Sequence, residues 1–331
     1  MTHSTSTGTP LELAPCPVCG TAESEVVAGG EQIREEMEAL WEFHSARLRP
    51  GTPPAHLADR VAFSQRPPLA VVRCAGCGLV YRNPREREHA LRDVYAGESP
   101  EPAVLEGLFE TQRTAYAAQA GRLTESAGRP GRVVELGSYV GGFLAAATEL
   151  GWHAEGVDVN PAANAFAREH GFTVHEGELD DYHPTTPPDA VAIWNCFDQL
   201  ADPAAAAHRA RTILARRGLL TVRVPNGAFY ASVRPHLDGP GAALARALLA
   251  HNNLLGFPYR HGFTLPSLTY LLRRTGFAVE RVYGDTLVPI ADEWTQPWAA
   301  WEERVVKGTL RLLGSGEADA APWLEVHARV R

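Results

Sequence analysis

VVELGSYVGGFL (133–144) carries the strongest signal in this chain: an apolar, strand-like run enters a glycine-rich turn and emerges into GGFLAAATELG (141–151), which has the composition of a helix. Glycine is needed at such a turn because the backbone must reverse tightly and come close to whatever lies above it. The helix that follows points its unpaired N–H groups at a carboxylate or phosphate. Asp158 comes 21 residues after Gly137, at the end of the next strand-like run, AEGVDV (154–159), where its carboxylate can accept both hydroxyls of a ribose.

The same alternation continues downstream. FTVHEG (172–177), AVAIWN (190–195), GLLTVRVPN (218–226), AVERVYG (278–284) and WLEVHARV (323–330) read as strands. PAANAFAREHG (161–171) and the segments 203–216, 266–275 and 293–313 read as helices, while 227–256 looks irregular and rich in Gly, Ala and His. This grammar predicts an α/β fold with a Rossmann-like, seven-stranded sheet and helices on both faces. The last two strands, joined by a helix at the chain end, are expected to form a hairpin-like sheet edge.

By themselves, these features fit a nicotinamide or flavin dinucleotide, or a βα turn with no ligand, as well as other nucleosides. Two details discriminate. The dinucleotide fingerprint G-x-G-x-x-G is broken, because Tyr139 stands in place of its second glycine. Glu135, two positions before Gly137, suits an ammonium-bearing ligand better than a pyrophosphate.

Four of the five cysteines form two pairs, Cys16/Cys19 and Cys74/Cys77, each C-x2-C and each followed by glycine. Two such knuckles supply the tetrahedral thiolate cage of structural Zn2+, with no position left for a catalytic water. The long segment between the pairs keeps free thiols open as the other reading. The fifth, Cys196, reads as a small buried hydrophobe. Between the pairs, EQIREEMEALWEFHSARL (31–48) has apolar residues at helical spacing and RPGTPP (49–54) ends it. After the second pair, LVYRNPR (79–85) reads as a strand stopped by Asn-Pro, followed by a helical stretch through RDVYAG and another helix over 104–126.

The composition is that of a globular protein: 45% hydrophobic and 21% charged residues. A formal net charge of −8 offers no general attraction to nucleic acid or anionic membrane. No apolar run approaches the roughly 18 residues that a membrane span needs, and MTHSTSTGTP has no signal-peptide character, so a cytoplasmic location is expected. The sequence carries no sign of oligomeric state.

With these motifs in hand, 133–226 resembles the core of the class I S-adenosylmethionine-dependent methyltransferases, whose first motif reads roughly hh[DE]hGxGxG. The resemblance implies that Glu135 organises the methionine amine. Gly137, Ser138, Tyr139, Gly141 and Gly142 would line the methionine moiety, and Asp158 and Val159 the ribose. GELDDY (177–182) is similar to the family's GDLxxL segment, which places Glu178 and Leu179 beside the adenine. WNCFDQLADP (194–203) resembles hhDVLEHLxDP and implies that Asn195, Cys196 and Phe197 line the adenosine side. FPYRHGFTLPSL (257–268) is similar to the acceptor-side stretch, placing His261 near the methyl group, with Tyr259 and Asp198 as further catalytic candidates and Arg260 and Tyr230 as weaker ones. Cys74 to Arg85 fits the zinc-ribbon leader of a bacterial, small-molecule branch, which favours natural-product chemistry.

The implied organisation is a zinc-binding domain at 1–88 with a helical insertion, a helical linker over the cofactor site at 89–128, and a methyltransferase domain at 129–331. An acceptor lid at 227–265 would contain His236 and His251. Two departures bear on this. Tyr139 is expected to keep the loop out of glycine-only conformations and to cover or displace the methionine end. Asp198-Gln199 replaces the family's Glu-His pair, removing a histidine base. Methyl transfer to O, N or C of a small molecule is therefore set beside a non-methylating reaction on the same cofactor, such as cyclisation or elimination. An RNA methyltransferase using Arg73, Arg82, Arg85 and Arg87 is less favoured, since glutamates interrupt them.

Overall fold

The structure, a computed structural model, describes residues 11–54, 57, 68–86, 96–97, 102–257 and 259–331. The helical stretch expected through RDVYAG, and Arg87, lie outside these residues apart from 96–97.

In chain order the N-terminal part comprises β1 (Leu11–Glu12), β2 (Ser24–Ala28), α1 (Gly30–Ser45), β3 (Val71–Cys74), β4 (Val80–Arg82) and β5 (Arg85–Glu86). Helix α2 (Pro102–Ala127) leads into the main sheet, built from β6 (Arg132–Leu136), α3 (Gly142–Glu149), β7 (His153–Asp158), α4 (Pro161–Glu169), β8 (Thr173–Glu176), β9 (Ala190–Trp194), α5 (Pro203–Ile213) and β10 (Leu219–Pro225). Then follow α6 (Gly227–Val233), α7 (Ala242–Ala250), β11 (His261–Gly262), α8 (Leu265–Arg274), β12 (Phe277–Asp285), α9 (Pro297–Gly316) and β13 (Trp323–Val330).

Helix starts are written locally. Asn160 and Asp202 each precede a proline; the Asn160 side chain accepts from the Ala163 N–H at 2.8 Å, and Asp202 caps α5 through the N–H groups of Ala204 and Ala205. Strands β9 and β10 are buried at every position because helices cover both faces of the sheet there.

The main sheet runs β12-β13-β10-β9-β6-β7-β8. β13 is antiparallel to both β10 and β12, which gives the expected hairpin-like edge, while β8, β7, β6, β9 and β10 are parallel. The order turns about β6: β7 lies on one side and β9 on the other. Ligands of open α/β sheets bind at the carboxyl ends of strands at such a switch point, where the glycine turn stands.

The second sheet, β11-β4-β3-β2, spans the chain: His261 pairs with Tyr81 and Gly262 with Val80. Strand β3, which ends at Cys74, thus shares a sheet with His261 and Gly262. Segment 227–256, expected to be irregular, folds into α6 and α7, since ALARALLA is rich in the best helix formers. α7 packs on α1 in a core with Ile33, Leu40, Phe43, Leu249 and Leu254, each fully or nearly buried. Each such burial contributes about 1.5–3 kcal/mol before entropy is counted. The helix expected from 293 starts at Pro297 and ends at Gly316, because residues 294–296 run against 47–49: Arg49 N–H donates to the Trp294 carbonyl at 2.8 Å and Gln296 N–H to the Arg47 carbonyl at 2.9 Å. No helix of the described residues is long and apolar enough to cross a membrane.

Candidate active site

The turn after β6 is held from three sides. Gly137 has φ +76°, and a Cβ there would lie 2.9 Å from Cys196 Sγ, so the residue must be glycine on both counts. At Gly142 a Cβ would meet Gln112 Cβ of α2 at 2.4 Å, so the start of α3 is pressed against α2. Tyr139 adopts φ +44°, in the left-handed region that a non-glycine residue enters rarely. That conformation costs a non-glycine residue about 1–2 kcal/mol, offset here by a hydrogen bond from Tyr139 N–H to Asp158 Oδ2 at 2.9 Å. The Tyr139 ring leans on the cluster of Leu105, Phe109, Val140 and Phe166, between α2 and α4.

Two acids flank this turn. Asp158 Oδ1 accepts the Asn160 N–H at 2.8 Å, so both carboxylate oxygens carry one backbone bond and retain capacity for more. Burial raises its pKa, and these N–H groups partly counter that. Glu135 is 2% exposed and its Oε2 has no hydrogen-bond partner among the described residues. Burial first, then the Asp158 charge, pushes its pKa well above the carboxylate range. Ser138 Oγ beside it is likewise buried without a partner. An unpaired buried carboxyl costs free energy unless a donor or cation arrives to meet it.

Gly177 N–H donates to the Asp158 carbonyl at 3.0 Å, bringing the next segment alongside, with Val159 and Glu178 partly buried and Leu179 buried. At the end of β9, Asn195 has φ +56°. Its Oδ1 accepts from Arg223, and its Nδ2 donates to Tyr116 Oη at 3.1 Å. Cys196 Sγ contacts the Leu136 carbonyl at 3.4 Å, and burial holds the thiol neutral. Phe197 is fully buried against Phe263.

The structure therefore gathers Glu135, Gly137, Ser138, Tyr139, Gly141, Gly142, Asp158 and Cys196 around the carboxyl ends of β6, β7 and β9. Asp198 and His261 adjoin each other, His261 N–H donating to the Asp198 carbonyl at 3.0 Å. Asp198 is 3% exposed and burial pushes its pKa up to about 8. His261 is 1% exposed; burial, then Arg260, Arg85 and Arg82, push its pKa down to about 3. Tyr259 is partly buried beside it.

Tyr230 is drawn elsewhere, its hydroxyl donating to the Glu36 carboxylate at 3.1 Å. His251 is buried and bonded to Glu302, whereas His236 is exposed. Arg82 is buried and Arg85 is paired with Glu12, so neither stands open to a phosphate backbone. Tyr116 and Arg223, which position Asn195, were not singled out from sequence, although one arginine inside the apolar run GLLTVRVPN was the available signal.

Cys16, Cys19, Cys74 and Cys77 converge with all four Sγ atoms within 4.8 Å of one another. Cys16 and Cys77 lie 3.5 Å apart, and Cys19 and Cys74 3.4 Å. The edges of a tetrahedral zinc–thiolate cage measure ~3.8 Å for a 2.3 Å bond. This donor set fits Zn2+.

Comparison with known proteins follows this geometry. The profile of a family described as a methyltransferase domain matches residues 109–282, just over half of the chain. No curated protein matches. Among solved structures, the chain is similar to an S-adenosylmethionine-dependent methyltransferase of Thermotoga maritima, described as a possible histamine N-methyltransferase (19% identity, 68% of this chain and 94% of that one, TM-score 0.45). It is also similar to the magnesium protoporphyrin IX methyltransferase of Synechocystis (11% identity, 74% and 97%, TM-score 0.45). The plantazolicin methyltransferase bound to S-adenosylhomocysteine is a third (14% identity, 74% and 95%, TM-score 0.45). By the profile match over its sheet and glycine turn, the chain belongs to the methyltransferase-domain family and is an S-adenosylmethionine-dependent methyltransferase.

Proposed function

We propose that this enzyme transfers a methyl group to an oxygen, nitrogen or carbon atom of a small-molecule acceptor by direct displacement, and that the turn at 137–142 holds the cofactor. The observation that carries this reading is Glu135: a carboxyl 2% exposed, with Oε2 unpartnered, at the glycine turn. An ammonium group there returns the carboxyl to its charged form and satisfies its free oxygen. Asp158 is suited to the ribose hydroxyls, and Glu178 and Leu179 to the adenine. S-adenosylmethionine, when bound, supplies a methyl carbon on a positively charged sulfur.

The protein's part is to align an acceptor and exclude water. The acceptor's lone pair forms the new bond to the methyl carbon, the carbon–sulfur pair stays on sulfur, and any acceptor proton leaves to solvent. With Asp198 protonated to about pH 8 and His261 only weakly basic, the candidate bases are poor ones at neutral pH. An acceptor that already offers a free lone pair, such as a carboxylate oxygen or a neutral amine, needs none. The four clustered thiols are suited to a structural Zn2+ and to a reducing compartment such as the cytoplasm.

Calorimetry with S-adenosylhomocysteine tests the reading. Wild type is expected to bind at micromolar concentration, and Asp158→Ala and Glu135→Gln at least ten-fold more weakly. Absence of binding in wild type overturns it. Methyl-labelled cofactor then separates transfer from a non-methylating reaction, since only transfer labels the acceptor.

A further inference from the structure

A cavity of about 660 Å3 opens between α2, the carboxyl ends of β10 and β12, and α9. That is within the roughly 300–1,000 Å3 of small-molecule sites. Its polar lining includes Gln119, Arg122, Arg223, Asp285, Thr286 and Arg311. Three of these are guanidinium groups against two carboxylates, Asp285 on the wall, which Arg223 and Arg122 keep ionised, and Glu325 behind Arg122, so one positive charge is left in excess. Arg122 spends Nε and Nη2 on Glu325 and Asp285, and its Nη1 donates to no described residue. Arg311 is exposed and makes no hydrogen bond or ion pair among the described residues.

Two further atoms are unsatisfied. Gln119, 4% exposed, donates through Nε2 to Asp285 at 2.9 Å, leaving Oε1 buried with no partner. Thr286, 1% exposed, has an equally unpartnered hydroxyl. Both residues line the cavity, and a buried polar atom without a partner in such a place is the mark of a site that a ligand completes. The remaining wall is apolar, with Ala115, Ala118, Val288 and Pro289. Arg223 connects the cavity to the cofactor turn: it holds Asn195, whose neighbour Cys196 lies under Gly137.

We propose that this cavity is the acceptor site and that it takes a small organic acid, with a carboxylate or phosphate against Arg122 and Arg311 and a hydroxyl or amino group donating to Gln119 Oε1. The proposal rests on the methyl-transfer reading for its role, but the anion preference is a property of the cavity alone. Neutral apolar acceptors are disfavoured because they leave Arg122, Gln119 and Thr286 unsatisfied.

Binding of 4-hydroxybenzoate, 4-hydroxyphenyl phosphate and methyl 4-hydroxybenzoate, measured with and without saturating S-adenosylhomocysteine, is the test. One or both anions are expected to bind roughly ten-fold tighter than the neutral ester, the scale of one charge-assisted hydrogen bond. Whichever anion binds tighter identifies carboxylate or phosphate as the natural group. Arg311→Gln, a surface change, should erase the preference, and Gln119→Met should weaken 4-hydroxybenzoate relative to benzoate. Equal affinity for anion and ester, no binding of any probe at millimolar concentration, or an intact preference in Arg311→Gln overturns the proposal. Failure of S-adenosylhomocysteine to bind, with the anion preference present, overturns the cofactor reading instead.

Discussion

The backbone N–H of Tyr139 donates to Asp158 Oδ2 at 2.9 Å, tying the tip of the turn after β6 to the carboxyl end of β7. This bond lets a tyrosine occupy φ +44°, and it fixes the direction of the Asp158 carboxylate. The turn is thus held from the neighbouring strand, which offsets its conformational cost.

Gly137→Ala tests that turn. At φ +76°, with Cys196 Sγ 2.9 Å from the new Cβ, the variant should lose about 1–2 kcal/mol of stability. Binding of S-adenosylhomocysteine should weaken at least ten-fold by calorimetry. Unchanged affinity would place the cofactor elsewhere.

Asp198 makes stability depend on pH. Its pKa rises from an unfolded value near 3.9 to about 8 in the fold. The fold therefore binds its proton more tightly than the unfolded chain does. The stabilisation is complete below about pH 4 and is lost as pH rises to about 8. Asp198→Asn, which cannot ionise, should be more stable than wild type at pH 8.5, by an amount on the order of 2 kcal/mol, and comparable to it near pH 4. Urea midpoints at the two pH values measure this, and parallel profiles for the two proteins would refute it.

Glu36 joins α1 to the segment 227–256. Its carboxylate, 3% exposed, accepts from Tyr230 Oη, Arg234 Nε and Gly256 N–H, at 3.1, 2.6 and 3.1 Å respectively. Glu36→Ala strands these donors and should cost about 3 kcal/mol. Amide exchange in α1 and α7 should accelerate before that in β9 or β10. A uniform change across the chain would contradict the local role.

Metal removal should act on the second sheet. Elemental analysis is expected to find one zinc per chain, falling sharply in Cys74→Ser. Stripping the metal should speed amide exchange over 71–82 and, because β11 pairs with β4, over 261–262 as well. Exchange confined to 71–82 would show that the acceptor-side strand is independent of the metal knuckles.

Much of this was legible in the chain itself. The helices read over 161–171 and 203–216 start in the structure at Pro161 and Pro203, where Asn160 and Asp202 cap them, because capping is settled by neighbours in sequence. The glycine turn and Asp158 were legible for a similar reason: backbone geometry at a turn dictates residue type. Arg223 was visible only as one charge in an apolar strand. Its partners Asp285 and Asn195 lie 62 and 28 residues away, and nothing local names them.

The sequence by itself determined the alternation of strands and helices over 132–225, the glycine turn after β6 and the four-cysteine set, all products of short-range pattern and backbone sterics. Tertiary structure decided that His261 enters a sheet with the strand that ends at Cys74, that α1 docks on α7, and that Arg122, Arg223 and Arg311 meet around one cavity. Such meetings depend on which surfaces bury each other once the chain closes on itself, and side chains far apart in sequence carry no local mark of the partner they will find.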